Sequence, residues 1–216
     1  MTSAGAVHVR GLSKAYGRVQ AVQDLDLDVG YGEVVAILGP NGAGKSTTIE
    51  ILEGNRKRDS GHVRVLGEDP GTAGRNWRAR IGIVGMPELL FLDEPTTGFD
   101  PEARHQFWDL IRLLAKDGTT ILLTTHYLEE ASALADRVAV IASGRVVAVD
   151  SPARLVEHVN TAATVQWMDG GELHVERTNF PTELIRRRSR DGSELAQLTV
   201  TRPTLEDAYL HLIGVA

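Results

Sequence analysis

The stretch RIGIVGMPELLFLDEPTTGFD, residues 80–100, decides how the rest of the chain is read. The apolar run at residues 89–92 reads as a buried strand that delivers Asp93 and Glu94 to its C-terminal end, where open α/β sheets bind ligands. Just upstream, residues 81–84 read as another short strand, and only four residues, 85–88, separate the two. Neighbouring parallel strands need a crossover of about a dozen residues or more, because the chain must return to the starting end of the sheet. The spacing therefore excludes a parallel pair. A tight hairpin, one long bent strand over residues 81–92, or a first strand that leaves the sheet remain; Gly82 and Gly85 weaken the upstream strand and favour the last two.

Upstream of that junction, GPNGAGKST at residues 39–47 matches the phosphate-binding P-loop pattern. It follows an apolar run at 33–38 that reads as a strand, and KSTTIEILEG reads as a helix through Leu52 closed by Gly54. Gly39, Gly42 and Gly44 let backbone N–H groups turn inward around phosphate oxygens, and the helix N-terminus adds a favourable dipole. Lys45 is placed to reach the β and γ phosphates and Ser46 to ligate magnesium, with Asn41 and Thr47 in the same nucleotide-binding set. A nucleoside triphosphate with Mg2+ is the ligand implied. The alternative is a chance glycine turn, against which the flanking strand and helix both argue.

Downstream, Asp93 is placed to hold magnesium through its shell, and Glu94 to orient or deprotonate an attacking water. A strand-ending acidic turn is the ordinary alternative for this pair. His126 ends a further apolar strand, ILLTTH, on the same sheet edge. A histidine there is commonly structural, yet three strand ends converging on one phosphate site point to a γ-phosphate contact.

The remaining pattern places these motifs in an α/β fold. Residues 7–9, 21–29 and 33–38 read as strands with which the N-terminal part opens as a small antiparallel sheet, and residues 62–66 as a further short strand. From Glu88 the chain alternates strand, helix (101–115), strand (119–125), helix (127–135) and strand (137–141), as expected of a parallel P-loop sheet with helices on both faces. Short strands around residues 143–149 close it. Beyond Arg154 the composition changes, so residues 1–154 are expected to form the nucleotide-binding domain and residues 155–216 a small α+β appendage. Lysine plus arginine number 23 against 29 acidic residues, a net charge of -6, which gives no footprint for wholesale nucleic-acid binding. The basic cluster IRRRSR at 185–190 reads as a solvated helix end. The chain has no cysteine, which excludes disulfides and thiolate chemistry. No run approaches the ~18 apolar residues of a membrane helix.

Together GPNGAGKSTT, LLFLDEPTTGFDP and ILLTTHYLEEA resemble the nucleotide-binding subunits of ABC transporters. The resemblance covers most of residues 7–149 and implies an ATPase that binds ATP and Mg2+. It further implies that Tyr16, in LSKAYGRVQAV, stacks on adenine, that Glu94 and His126 are catalytic, and that Asp100 belongs to the loop that communicates between subunits. The tail RPTLEDAYLHLIG is similar to that of the drug and antibiotic export branch. Members of that branch work with a separate membrane permease, so the resemblance implies a cytoplasmic subunit held at the inner face of the membrane, forming a homodimer. The C-terminal appendage is then a dimerisation or regulatory domain.

One part of the family pattern is missing. Members carry a helical subdomain between the two phosphate motifs, with a glutamine loop at its start and an LSGGQ-like signature at its end. The interval between Lys45 and Asp93 contains neither. RARIGIV is similar to the strand that leads into the glutamine loop, and GMPELLFLDEP to the segment after the signature helix, joined directly. Surface that the missing helices would cover is expected to be exposed. Two functional readings follow: an ATP-hydrolysing export subunit, or a non-catalytic nucleotide-binding remnant of one. A small P-loop kinase or switch GTPase is a third, disfavoured because the sequence has no guanine-reading N-K-x-D pattern.

Overall fold

Alternating apolar and polar residues near the N-terminus form an antiparallel sheet, as their period of two dictates. In the computed structural model, which describes residues 5–82, 87–158, 162–189 and 194–214, β1 (Val7–Tyr16) pairs with β2 (Val19–Val29) on one side. β4 (Ser60–Val65) pairs with it on the other. β1 runs well past the expected residues 7–9. It does so by bulging: its register with β2 shifts after Val9, after Leu12 and after Lys14. Gly11 lies in the first shift at φ 62°.

β3 (Val34–Leu38) belongs not to this N-terminal sheet but to a second, parallel one, because its unbroken apolar run is buried along its whole length, and it leads through the glycine loop into α1 (Lys45–Leu52). The second sheet also takes β5 (Leu89–Asp93), β6 (Thr120–Thr125), β7 (Arg137–Ala142) and β8 (Arg145–Asp150). Their order is β5-β6-β3-β7-β8. The first four are parallel and β8 is antiparallel. Continuous apolar runs, unlike alternating ones, suit strands covered on both faces. One face, carrying Val35, Ile37, Leu122, Ala139 and Ile141, joins Ile49, Ile51 and Leu52 of α1 and the antiparallel sheet in one core. The crossovers are α3 (Pro101–Lys116) and α4 (Leu128–Leu134), whose Ile111, Ala131 and Leu134 are buried.

The junction differs in part from its sequence reading. Ile81 and Leu89 form a single bridge of parallel sense, with Leu89 N donating to Arg80 O at 3.4 Å and Gly82 N to Leu89 O at 3.3 Å. Spacing thus forbids a parallel ladder but not one bridge, which asks only that two residues meet. Ile83 and Val84 of the expected upstream strand lie outside the described residues. The two ends of the junction are clamped by Arg80, whose Nε and Nη2 donate to the Glu88 carboxylate at 2.8 and 3.0 Å. An unforeseen short helix, α2 (Arg75–Arg78), inserts Trp77 into the core, where its Nε1 donates to Val65 O at 2.8 Å. Beside the junction lies a cavity of about 250 Å³ bordered by Glu53, Arg78, Ile81 and Phe91. Burial, reinforced by Asp93 and Glu50, pushes the Glu53 carboxyl above its ordinary value.

The chain divides into two units, residues 1–152 and 153–216. The second contains α5 (Pro152–His158) except its first residue. It also holds a sheet of β9 (Ala163–Asp169), β10 (Glu172–Thr178) and β11 (Ala196–Thr201) with β9 central, and the helices α6 (Pro181–Arg188) and α7 (Leu205–Leu212). Its own core is Val165 and Trp167 under Leu184 of α6. The basic cluster ends α6, where Arg187 and Arg188 pair with Glu176 at 3.3 and 3.1 Å. Arg190 lies outside the described residues. Among the described residues, no helix is long and apolar enough to cross a membrane.

Candidate nucleotide site

The loop after β3 turns on glycines for two distinct reasons. Gly42 and Gly44 have φ of 80° and 99°, a region that L side chains rarely occupy. Packing adds a second demand: a Cβ on Gly44 would lie 2.2 Å from the Ala21 carbonyl oxygen, and one on Gly39 would lie 2.4 Å from that of Ile141. No side chain fits there without backbone movement. Lys45 is 6% exposed, and its Nζ donates to Gly39 O at 2.8 Å and Pro40 O at 3.3 Å. The ammonium is thereby held inside the curl of the loop. Thr48 anchors the first turn of α1, its Oγ1 donating to Gly44 O at 2.8 Å. Asn41 and Ser46 are exposed and Thr47 half-buried along the same turn.

The sheet register brings the second set of groups to this loop. Leu38 ends β3 opposite Thr125 of β6, and Asp93 ends β5 opposite Thr124. Thr124, which sequence reasoning passed over, joins both acidic residues. Its hydroxyl donates to Asp93 Oδ1 and accepts from Glu94 N at 3.0 Å, while its carbonyl accepts from the same N–H at 3.1 Å. These bonds hold Glu94 at φ 46°, a left-handed conformation that costs a non-glycine residue about 1–2 kcal/mol. The turn aims its carboxylate at the loop: Oε1 is 3.9 Å from Lys45 Nζ, and Oε2 is 3.2 Å from His126 Nδ1. No local pattern in the sequence marks Thr124, because it faces Asp93 only once β5 and β6 are paired in register.

His126 is supported from behind. Its ring lies 4.1 Å from that of Tyr127, and the Arg104 guanidinium carbon sits 4.4 Å from the Tyr127 centroid. Among the described residues the buried Arg104 Nε has no hydrogen-bond partner, so the stack is the main contact shown for this guanidinium. Asp100 is the N-cap of α3, accepting from Ala103 N at 2.8 Å with Pro101 next in line. Whatever its role between subunits, Asp100 has a local structural one. Tyr16, at the end of β1, is 41% exposed and flanked by Lys14 Nζ at 5.7 Å and the Arg56 guanidinium at 5.2 Å. Glu50 of α1 holds Arg56, and Asp59 holds Lys14 at 2.6 Å. Hence Lys45, Glu94 and His126 meet directly and Asp93 joins them through Thr124, whereas Tyr16 is linked to the loop through Glu50 of α1 and Asp100 through α3.

These residues fit a magnesium nucleotide. The glycine loop leaves open space at Gly42, a buried cation sits at its centre, and the exposed Ser46 hydroxyl and Asp93 carboxylate are oxygen ligands of the kind Mg2+ prefers.

Comparison with known proteins gives the family. A family model described as ABC transporter matches residues 22–124. The chain is 36% identical to a daunorubicin/doxorubicin resistance ATP-binding protein of Streptomyces peucetius, over 97% of this chain and 92% of that protein. It is 31% identical to a Nod factor export ATP-binding protein of Rhizobium leguminosarum bv. viciae, over 97% and 95%. The first of these alignments runs over 305 positions. Since this chain has 216 residues, the relative carries stretches with no counterpart here. Among solved structures, an ATP binding subunit of an ABC transporter superposes with a TM-score of 0.64 at 21% identity, covering 71% of this chain and 92% of that one. A dimeric ATP-binding cassette in a post-hydrolysis state, bound to ADP and Pi, gives 0.59 at 18% identity over 67% and 98%. Sequence, site geometry and fold therefore agree that the chain belongs to the family of ABC transporter ATP-binding proteins.

Proposed function

We propose that the chain is the ATP-binding subunit of an export transporter, with nucleotide binding intact and turnover severely reduced. The convergence of Lys45, Glu94 and His126 at the mouth of the glycine loop, at 3.9 and 3.2 Å, carries the binding half. Lys45 takes the β and γ phosphates, the loop's N–H groups and the α1 N-terminus cradle them, and Tyr16 receives the adenine. Mg2+, held by Ser46 and Asp93, would neutralise phosphate charge. Glu94 orients and deprotonates the attacking water, and His126 donates to the γ-phosphate while steadying that carboxylate.

The turnover half rests on what the sequence omits between Lys45 and Asp93. In the family the signature of one subunit caps the γ-phosphate held by the other. Removing such a group acting in trans costs on the order of 10³ to 10⁵ in rate, by analogy with arginine fingers. Ground-state binding does not need it. Relatives named for daunorubicin/doxorubicin resistance and for Nod factor export favour an export role, which requires a separate membrane permease and places the subunit on the cytoplasmic face. Residues 155–216 serve as a module that stabilises a dimer or regulates closure.

Binding of a fluorescent ATP analogue with magnesium and release of phosphate, each against Lys45→Ala, test the proposal together. Lys45-dependent binding without appreciable release is expected. Release at an ordinary rate, dependent on Lys45 and Glu94, would show that the missing signature is not crippling, and loss of binding would remove the proposal altogether.

A further inference from the structure

The C-terminal unit holds a second polar cavity, of about 150 Å³, lined in part by Thr164, Arg177, Thr201, Arg202 and Asp207. Its floor is set by strand register. Thr164 of β9 stands opposite both Arg177 of β10 and Thr201 of β11, and directly paired residues project from the same face of a sheet. The three side chains therefore form one row across all three strands. Their neighbour Val165 alternates to the opposite face, where it packs with Trp167 and Leu184. Arg202 and Pro203 continue from β11 and, with Asp207 in the first turn of α7, complete the wall.

The charges here are unequally matched. The Asp207 carboxylate is already engaged, its Oδ2 accepting from Thr204 N at 2.7 Å and from Thr204 Oγ1 at 2.9 Å. Among the described residues neither Arg177 nor Arg202 forms a hydrogen bond or a close ion pair, Arg177 acting on Asp207 only by attraction at longer range, and the hydroxyls of Thr164 and Thr201 have no hydrogen-bond partner. Two arginines and two threonines thus line one space with a single carboxylate beside them, whose Oδ2 is occupied. Guanidinium geometry matches the paired oxygens of carboxylate and phosphate. The volume is well below the roughly 300–1,000 Å³ of pockets for drug-sized ligands, so it suits a small anion.

We propose that this cavity binds a small oxyanion, phosphate or a short dicarboxylate, through Arg177 and Arg202 with the hydroxyls of Thr164 and Thr201. The site lies wholly within the C-terminal unit and does not depend on the reading of the nucleotide site. It gives the unit a ligand of its own.

The test is an amide NMR titration of the full chain with inorganic phosphate and, separately, succinate, each against sodium chloride at matched ionic strength. Phosphate also suits the glycine loop, so the reporters are the amides of Thr164, Arg177 and Thr201, read against those of Gly42 and Lys45. Saturable shifts at the first three are expected. Lys45→Ala leaves them unchanged, Arg177→Gln or Arg202→Gln weakens binding about tenfold or more, and Arg177→Lys, which keeps charge but not the fork, weakens it less. Saturation by phosphate alone, by succinate alone or by both supports the site and identifies the source of the oxyanion. Shifts that merely track ionic strength, shifts confined to the glycine loop, or folded arginine variants with unchanged affinity overturn it.

Discussion

Thr124→Val tests whether one hydroxyl positions both acidic residues of the nucleotide site. Threonine and valine are nearly isosteric and Thr124 is fully buried, so the change removes hydrogen bonds without opening a cavity. Two are lost: the one donated to Asp93 and the one accepted from Glu94 N. A bond to a charged acceptor contributes about 1.5–3 kcal/mol and a neutral one about 1 kcal/mol. Glu94 N keeps its bond to the Thr124 carbonyl, and the new methyl regains about 0.8 kcal/mol of apolar burial. The expected net loss is about 2 kcal/mol. In urea, at an m-value of about 2 kcal/mol/M, this moves the unfolding midpoint of the nucleotide-binding unit down by about 1 M. It also frees the carboxylate proposed to hold magnesium, so the ratio of ATP affinity with Mg2+ to that with EDTA falls by about tenfold for each 1.4 kcal/mol expressed at the metal. A variant with an unchanged midpoint and an unchanged magnesium ratio would refute the argument that Thr124 is the hinge of the site.

Gly44→Ala should be far more severe, above about 3 kcal/mol, because positive φ and a backbone clash act together; thermal unfolding and ATP-analogue binding both read it. Asp100→Ala removes the α3 cap and should cost about 1 kcal/mol, a loss of about 2–4 °C in melting temperature for a domain of about 150 residues. An effect on turnover larger than this stability loss explains would point to a role beyond the cap. Arg104→Met should remove a cation–π contact contributing about 0.5–2 kcal/mol and change the NMR signals of the His126 ring, whereas ATP affinity stays near that of the unaltered protein. The Thr204 N–H and hydroxyl hold the Asp207 carboxyl below its ordinary value. Its contribution to α7 is therefore present above the unfolded value of about 3.9 and is lost as pH falls through the folded one, so α7 frays in acid; Asp207→Asn should show the frayed signals at neutral pH.

The parts of the site legible in the sequence were those fixed by short-range chemistry. The glycine loop, its lysine and the acidic strand end each occupy a run of residues whose spacing dictates their conformation. Asp100 before Pro101 is the same kind of signal, because an aspartate followed by proline at the head of an amphipathic run caps a helix. What stayed hidden depends on residues far apart in the chain. Thr124 meets Asp93 only through the register of β5 and β6, Ile141 crowds Gly39 only through that of β3 and β7, and Arg104 reaches Tyr127 only when α3 and α4 have packed. The length of β1 was hidden for another reason, since its bulges interrupt the alternation by which a strand is recognised. The Arg177–Thr164–Thr201 row likewise required the C-terminal sheet to be paired before its members could be seen as neighbours.

The same dependence on register explains how the proposed nucleotide site forms despite a shortened interval. Lys45, Asp93, Glu94 and His126 stand at or just beyond the C-terminal ends of β3, β5 and β6, three adjacent parallel strands in the order β5-β6-β3. Their separation is set by strand spacing of about 4.8 Å and by pairings such as Leu38 with Thr125 and Asp93 with Thr124. None of those pairings involves residues 53–88, the connection that joins α1 to β5. That connection must only deliver the chain to the start of β5, which the Arg80–Glu88 clamp and the bridge from Ile81 to Leu89 accomplish. Arg80→Met is accordingly an alteration of delivery rather than of the site. An exposed ion pair contributes about 0–1 kcal/mol, so its loss should lower stability slightly and leave the affinity for magnesium ATP where it was. A marked fall in affinity would instead show that the junction, and not the strand register, holds Asp93 and Glu94 in place.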